Sequence, residues 1–513
     1  MEKIALRIKN WIRQNPKEAI ILGVILLVAT FLRLYRISEY MTFLGDEGRD
    51  VIIVRRLLVD FDPILIGPGT SIGNMYLGPL YYYLMAPALA LAGLSPVGPA
   101  VQIALLGVAT VFFVWHLARD WFGKWGAAVA SSLYAIAPTV IIYSRSSWNP
   151  NIMPFFALLS IWGTWKFWQE GRWRWLAVVG VALAFTLQSH YLALLLFPVI
   201  GFFWLLTYLK VRKTGEAKKF LLNSIFAGII FLILMSPLVI FDARHGWRNW
   251  EAMKTFFTER QTTVSARPWN AIPKIPKLSQ NITTRVLSGK NETVGRFTLA
   301  AILILSLIVF VKRKSLDRKS KAAFLLISVW LLVALAGLGN YKQEIYDHYF
   351  GFFFAAPFLL LGGLVEKITK TERNKILIGT LSIGIILLVS VNLFGNPLRY
   401  QPNRQLQRSQ AVADKIIEES GGERFNLAVL AERNYDDGYQ YFLELRGVPV
   451  IDIDPQLADE TTAEQLFVVC ELAKEKCDPT HSPKAEVANF GWSKIEEEWD
   501  ISGVTLYQLV HTE

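Results

Sequence analysis

Eleven stretches of the chain are apolar over a length that can cross a bilayer, and they leave little freedom in what it can fold into. They fall at about 19–37, 97–118, 124–143, 151–168, 174–189, 191–209, 220–241, 297–311, 322–339, 349–366 and 375–395. A membrane-crossing helix needs roughly 17–25 largely apolar residues, which the run at 297–311 reaches only by taking in its flanks. A further apolar stretch at 80–94 decides the topology. If it crossed, every later basic loop would face outward. If it lies in the interface, all of them face the cytoplasm: Arg119 and Lys124; Lys166, Arg172 and Arg174; Lys210 to Lys219; Lys312 to Lys321; Lys367 to Lys375. Positive residues gather in cytoplasmic loops, so the second arrangement is expected. Tyr81-Tyr82-Tyr83 and Pro87 suit a juxtamembrane segment.

The expected fold class is therefore a polytopic α-helical membrane protein with about 11 transmembrane helices. The first 16 residues are basic and amphipathic, and the run after them lacks a small-residue cleavage site, so an uncleaved first span is expected. Residues 1–395 form the membrane domain, with outward loops at 38–96 and 242–296. Residues 396–513 form a small α/β domain on the same extracytoplasmic face. That tail carries 11 basic and 22 acidic residues, whereas the whole chain is +11, so the membrane body is strongly basic. Basic charge confined to short loops between spans points to the cytoplasmic leaflet of the plasma (inner) membrane and not to nucleic acid. In the tail, strands are expected around 429–430, 448–453, 467–469 and 504–510, with a helix at 437–446. Both cysteines, Cys470 and Cys477, lie there, and an outward tail favours a disulfide between them.

The chemistry-bearing residues collect on the outward side. Gly45-Asp46-Glu47-Gly48-Arg49-Asp50 opens the first outward loop with two adjacent carboxylates, an arginine within a turn and two glycines. Ionisable clusters at a membrane face are functional candidates, although the same residues also suit a capped helix start. Arg145 ends a span in Ser144-Arg145-Ser146-Ser147-Trp148-Asn149. It can hold a phosphate through its planar fork or anchor the interface. His190 and Tyr191 interrupt a long apolar stretch and either line a site or make a turn. Lys342, His348 and Tyr349 are donors suited to a phosphate at the membrane surface, or members of an ordinary interfacial loop. Tyr82, Asn149 and His245 are further candidates to line such a site. The segment 248–261 reads as an interfacial helix. No Gly-rich nucleotide fingerprint occurs, and no Cys/His cluster indicates a metal.

These pieces, taken in order, resemble a GT-C glycosyltransferase of the protein O-mannosyltransferase type, a group that includes the aminoarabinose transferases of lipid A modification. The resemblance covers about 19–370. It rests on Asp46-Glu47 in the first outward loop, Pro79 to Tyr83, the span ending Ala118-Arg119-Asp120-Trp121-Phe122-Gly123, an Arg-bearing turn after Ala137-Pro138, and His348-Tyr349 before a late span. The family often has a carboxylate in the second outward turn, where this chain has Asn149 and Asn151. The resemblance implies transfer of a sugar from a polyprenyl-phosphate donor to a glycan, lipid or protein acceptor, with membrane lipids around the site. It implies Asp46 as general base, Glu47 orienting the acceptor or Asp46, and Arg49, Arg145, Lys342 and His348, with Tyr349, around the leaving phosphate. A single displacement would invert the anomeric centre. No cofactor is required by this chemistry; a divalent metal is compatible with it but not indicated. An oligosaccharide ligase remains an alternative. So does a lipid or sugar flippase, although repeated halves and charges inside spans, which mark transporters, are not evident.

Overall fold

The computed structural model describes residues 2–70, 75–258, 263–265, 267–371, 375–448 and 450–512. Among these, each of the eleven apolar stretches is helical. Six helices are long and apolar enough to cross a membrane: Val97–Trp121, Tyr191–Val211, Ala217–Arg244, Glu292–Val311, Arg318–Asn340 and Lys375–Phe394. A seventh is gained if Asp347–Phe353 and Ala355–Lys370, bent by 59°, make one span. The other four stretches fall short of those measures for local reasons. Pro16–Leu34 carries Lys17, Glu18 and Arg33. Lys124–Ile136 ends where Ala137 is extended before Pro138, and the chain resumes as Pro138–Ile142. Met153–Trp168 and Trp175–Ser189 have 16 and 15 residues. The short run near 297 is completed from its N-terminal side. Asn291 accepts the Val294 N–H at 3.0 Å and starts the helix at Glu292.

The stretch at 80–94 contains the helix Leu80–Leu91, whose 12 residues give a rise of about 18 Å, too little to cross a hydrocarbon core of about 30 Å. Its Tyr81, Tyr82, Met85 and Leu89 are buried between the helices Gly45–Val59 and Val97–Trp121. In the loop at 242–296, Asp242 takes the N–H groups of Asn249 and Trp250 at 2.8 and 3.0 Å and starts the helix Arg248–Thr258. The expected continuation to 261 lies outside the described residues.

The C-terminal residues build a four-stranded sheet in the order β1-β2-β4-β3, with β1 Phe425–Leu430, β2 Gln465–Cys470, β3 Ser493–Ile501 and β4 Val504–His511. β1 and β2 are parallel, and the other pairs are antiparallel. β1 and β2 are apolar almost throughout because both faces are covered. Leu427, Val429, Phe467 and Val469 pack under Val412, Ile416 and Phe442. Their alternates Ala428, Leu430, Leu466 and Val468 pack under Val487 and Phe490. Cys470, the last residue of β2, is bonded to Cys477.

One strand expectation needs correction, and one strand was not expected. The stretch at 448–453 is not a strand among its described residues; it runs beside β1 with one backbone bond, Ile451 N–H to Phe425 O at 3.3 Å. Its acids Asp452 and Asp454 are poor partners for a ladder. β3, in contrast, is strongly charged and mostly exposed at the sheet edge. It is held by the tight turn at Ser502-Gly503, both at positive φ, a pair suited to a two-residue hairpin.

This unit is built onto the end of the membrane body that carries the Gly45–Val59 helix. Phe43, Val51, Val54, Tyr82 and Leu89 share one apolar cluster with Leu406, Val412, Tyr439, Tyr441 and Phe442. The C-terminal backbone crosses close at Gly48, where a Cβ would lie 2.4 Å from backbone atoms of Asp437 and Gly438. Gly48→Ala is expected to lose about 1–3 kcal/mol through this overpacking, read as a lower Tm in detergent and faster proteolysis of the C-terminal unit. Gly23, with nothing within 4 Å of its missing Cβ, is the control: Gly23→Ala should be neutral or slightly stabilising.

Candidate active site

The Gly45–Val59 helix starts where Leu44 is extended. Leucine has no polar side chain, so the cap is assembled from elsewhere. Glu47 folds back and accepts the Leu44 N–H at 3.0 Å. The Gly45 N–H is accepted at 2.8 Å by the side chain of Asn434 in the C-terminal unit. Glu47 is 6% exposed, and burial, ahead of the neighbouring Asp46, pushes its carboxyl up to about 8. The geometry makes it a helix clasp, turned inward and largely protonated at neutral pH.

One turn on, three side chains share a face because positions i, i+3 and i+4 coincide on a helix. Arg49 donates to Asp46 Oδ1 from Nη1 at 2.9 Å. It also donates to Asp50 Oδ1 from Nε and Nη2 at 3.1 and 2.8 Å. Tyr82 adds its hydroxyl to the same Asp50 oxygen at 3.0 Å. Asp50 is fully buried, and its Oδ2 has no partner among the described residues. Burial raises this carboxyl to about 6 even against Arg49. Asp46 differs, with its side chain 38% exposed. Its Oδ1 also accepts the hydroxyl of Tyr435. Asp437 closes the cluster on the C-terminal side, where burial and then Asp436 push it up to about 7.

Contacts run from this cluster to a second group. Tyr81, beside Tyr82, bonds Ser147 at 2.7 Å. The neighbouring Trp148 meets the His348 ring edge-on at 4.6 Å. His348 packs on Tyr349 at 4.6 Å, and Tyr349 lies 4.9 Å from His190. His190 accepts the Leu192 N–H on Nδ1 at 3.1 Å. Burial and then His348 lower its pKa to about 3, so it is neutral and presents Nε2–H. His190, Tyr191, Tyr349, Met75, Leu77 and Met253 line a mostly apolar cleft of about 330 Å³. Nearby, Asp347 is held by Arg285 and Lys290 at 2.9 and 3.1 Å. Two clefts of about 510 and 480 Å³ open at the opposite, basic end among Arg7, Trp11, Arg119, Lys124 and Lys370; they touch none of these groups.

The structure thus brings together Asp46, Glu47, Arg49 and Tyr82 in one cluster, and His190, Tyr191, His348 and Tyr349 in the other. Three expected residues are engaged elsewhere. Arg145 is buried and donates to Leu32 O and, at 2.7 Å, to Tyr35 O. It closes the C-terminal end of the Pro16–Leu34 helix, as a cation there does well, so the phosphate expectation is not carried further for it. Asn149 is spent on Ser189 O at 2.7 Å. His245 is exposed, bonded to Phe241 O at 2.7 Å and stacked on the Phe241 ring. Lys342 lies on the exposed segment that pairs with Thr263, through its own N–H at 2.9 Å. Sequence reading missed Asp50, Tyr435, Asp437, Arg285 and Lys290. Asp50 alone had a signal, the i, i+4 spacing from Asp46.

Residues 77–241 match the family of dolichyl-phosphate-mannose-protein mannosyltransferases. The Bacillus subtilis protein YkcB, a mannosyltransferase by assignment, is 26% identical over 227 residues, which is 43% of this chain and 30% of that protein. The chain therefore spans about a third of the length of that relative. Among solved structures, ArnT from Cupriavidus metallidurans bound to undecaprenyl phosphate matches with a TM-score of 0.58 at 13% identity. The match covers 96% of this chain and 98% of ArnT. The oligosaccharyltransferase AglB from Archaeoglobus fulgidus, in complex with an inhibitory peptide and a dolichol-phosphate, matches with a TM-score of 0.51 at 11% identity. That match covers 89% of this chain and 70% of AglB.

The raised carboxyl of Glu47 fixes a pH dependence. Its folded-state value lies above the ordinary 4.5, so the folded form binds the proton more tightly than the unfolded form. The stability it contributes is complete below about 4.5 and is lost as pH rises through about 8; Asp50 and Asp437 act with the same sign. Glu47→Gln keeps an acceptor for the Leu44 N–H but does not titrate. Its Tm should fall less steeply than that of the wild type between pH ~5 and ~8.5; parallel curves would remove the buried-acid assignment.

Proposed function

From a GT-C fold of the protein-mannosyltransferase type, we propose that this integral, multi-pass membrane protein is a glycosyltransferase that moves a sugar from a polyprenyl-phosphate donor to an acceptor hydroxyl. The observation that carries this reading is a part-exposed carboxylate, Asp46, held by Arg49 and linked by packed side chains to an apolar cleft with hydrogen-bond donors at its mouth. In this reading the membrane domain, 1–395, holds the chemistry and 396–513 sits on the same extracytoplasmic face, which the basic loops at the other end support.

In the proposed step Asp46 takes the proton of the acceptor hydroxyl. The freed oxygen attacks the anomeric carbon while the bond from that carbon to the phosphate oxygen breaks. The electron pair leaves with the lipid phosphate, and one displacement inverts the centre. General-base assistance of this kind is worth about 10²–10⁴ in rate. The polyprenyl end and phosphate would lie in the cleft of about 330 Å³, which has room for a phosphate and the first isoprene units. His190 Nε2–H, the Tyr349 hydroxyl, Lys342 and the Arg285–Lys290 pair would meet the leaving charge, where fixed donors in a partly dry site act most strongly. No cofactor enters the step. An oligosaccharide ligase would use the same base with a larger donor, and lipid-linked oligosaccharides tested beside monosaccharide donors separate the two.

Asp46→Asn should lower transfer by about 10²–10⁴ and leave lipid-donor binding close to wild type, measured with labelled polyprenyl-phosphate sugars and membrane acceptors. Tyr349→Ala should instead weaken donor binding, because it would touch the donor in ground and transition states alike. Transfer surviving in chelator-treated protein supports the metal-free step, and transfer restored only by a divalent ion overturns it. Near-normal turnover in Asp46→Asn removes Asp46 as the base. For orientation, a reporter near Thr70 and one after Leu94 should lie outside, with one at Lys213 in the cytoplasm.

A further inference from the structure

The C-terminal unit reaches the part-exposed carboxylate of the membrane domain. Asp46 Oδ1 accepts two donors, Arg49 from its own helix and the Tyr435 hydroxyl from the C-terminal unit. No hydrogen bond engages Asp46 Oδ2 among the described residues, and the side chain is 38% exposed. One oxygen is thus fixed from two sides and the other is left open.

The contact is braced at every neighbouring position. The ring of Tyr435 lies against Gly45, where a Cβ would meet ring atoms at 2.2 to 2.7 Å. Asn434, next in the chain, accepts the Gly45 N–H at 2.8 Å and is itself tied to Glu471 at 2.7 Å. Glu471 also accepts the Tyr439 hydroxyl at 2.6 Å and pairs with Arg408 at 3.7 Å. On the other side, the backbone of Asp437 and Gly438 crosses Gly48 too closely for any side chain there. A segment held by a backbone crossing, a cap and a shared apolar cluster is not a swinging arm. Burial and the adjoining Asp46 both raise the Tyr435 phenol, so it stays protonated and can only donate to the carboxylate.

We propose that Tyr435 is a positioning residue for Asp46: together with Arg49 it pins Oδ1 and turns Oδ2 toward the acceptor hydroxyl, making the C-terminal unit part of the catalytic centre. The inference rests on the glycosyltransferase reading for its consequence and on the geometry alone for the contact. It also gives Gly45 and Gly48 a reason: each is where the C-terminal unit comes within reach of the carboxylate.

The test uses the full-length protein in detergent or vesicles with a polyprenyl-phosphate sugar and a membrane acceptor. Tyr435→Phe keeps the ring over Gly45 and removes only the hydroxyl. It should lower kcat by roughly tenfold or more, the scale of a lost hydrogen bond to a charged group. KM for both substrates should stay within about twofold, and Tm should fall by no more than a few degrees, the protein remaining folded at the assay temperature. Placed on Asp46→Asn, it should cost little more, because the two act as a unit. Wild-type kcat in Tyr435→Phe, or a loss that multiplies fully with Asp46→Asn, overturns the proposal. A rise in kcat also overturns it, since that would make Tyr435 a plug over the base. A second arm needs no turnover. Modification of Asp46 by a water-soluble carbodiimide, followed by mass spectrometry, should be several-fold faster in Tyr435→Ala than in wild type, because the tyrosine bonds one carboxylate oxygen and restricts approach to that side. Equal rates remove the contact. Wild-type protein inactive with every polyprenyl-phosphate sugar, but with Asp46 shielded by Tyr435, would sink the transferase reading and leave the contact standing.

Discussion

The structure turns on the burial of Asp50. A carboxylate out of water costs several kcal/mol unless its charge is met, and here Arg49 and Tyr82 both meet it on one oxygen. The unpartnered second oxygen is where a proton sits when the group is neutral, in keeping with a pKa near 6. Once Arg49 is committed to Asp50, its remaining nitrogen is held at one place and reaches Asp46. The exposed carboxylate therefore inherits its position from the buried one. The apolar face of the same helix, through Val51, Ile52 and Val54, seals the arrangement against Tyr82 and the C-terminal unit.

The same end of the molecule shows how a membrane protein satisfies its backbone groups. Backbone groups left unpaired near lipid are costly, so side chains from other elements take them up. Arg145 serves Leu32 O and Tyr35 O, Asn149 serves Ser189 O, and Asn392 serves Leu287 O at 2.7 Å. Gln188 takes the Leu80 N–H at 3.3 Å and gives to Leu234 O at 2.9 Å. These residues look like site residues because they are polar and at the right depth. They differ from Asp46, whose side chain is 38% exposed, and from His190 and Tyr349, which line the cleft.

Much of the fold was legible because hydropathy is a local property. The apolar stretches became helices, and 80–94 became a helix too short to cross. Capping at Asn291 and the breaks at Pro138 and Pro150 shifted helix ends by a few residues. Where sheet reading failed, it failed at the edge: β3, with Glu496, Glu497 and Glu498 facing solvent, has no apolar alternation to reveal it. Only the Ser502-Gly503 turn marked it. Of the candidate site, the Asp46–Glu47 pair and the His348-Tyr349 pair stood out as sequence neighbours, but neighbours were all that could be seen. That Glu47 turns inward as a clasp while Asp46 stays open depends on which face of the helix is covered.

By itself the sequence determined a multi-pass helical body, a basic and a chemically rich end, and a separate α/β unit. Each follows from runs of apolar residues, charge in short loops and strand-length segments, all read within a few turns of chain. Tertiary structure alone decided the roles of the site residues. Tyr435 meets Asp46 across 389 positions, and no local pattern encodes a contact made by packing one domain on another. The same holds for Asp50, whose type was plain from the start. Its displaced pKa comes from desolvation, and desolvation exists only once Tyr82 and the apolar cluster have closed over it.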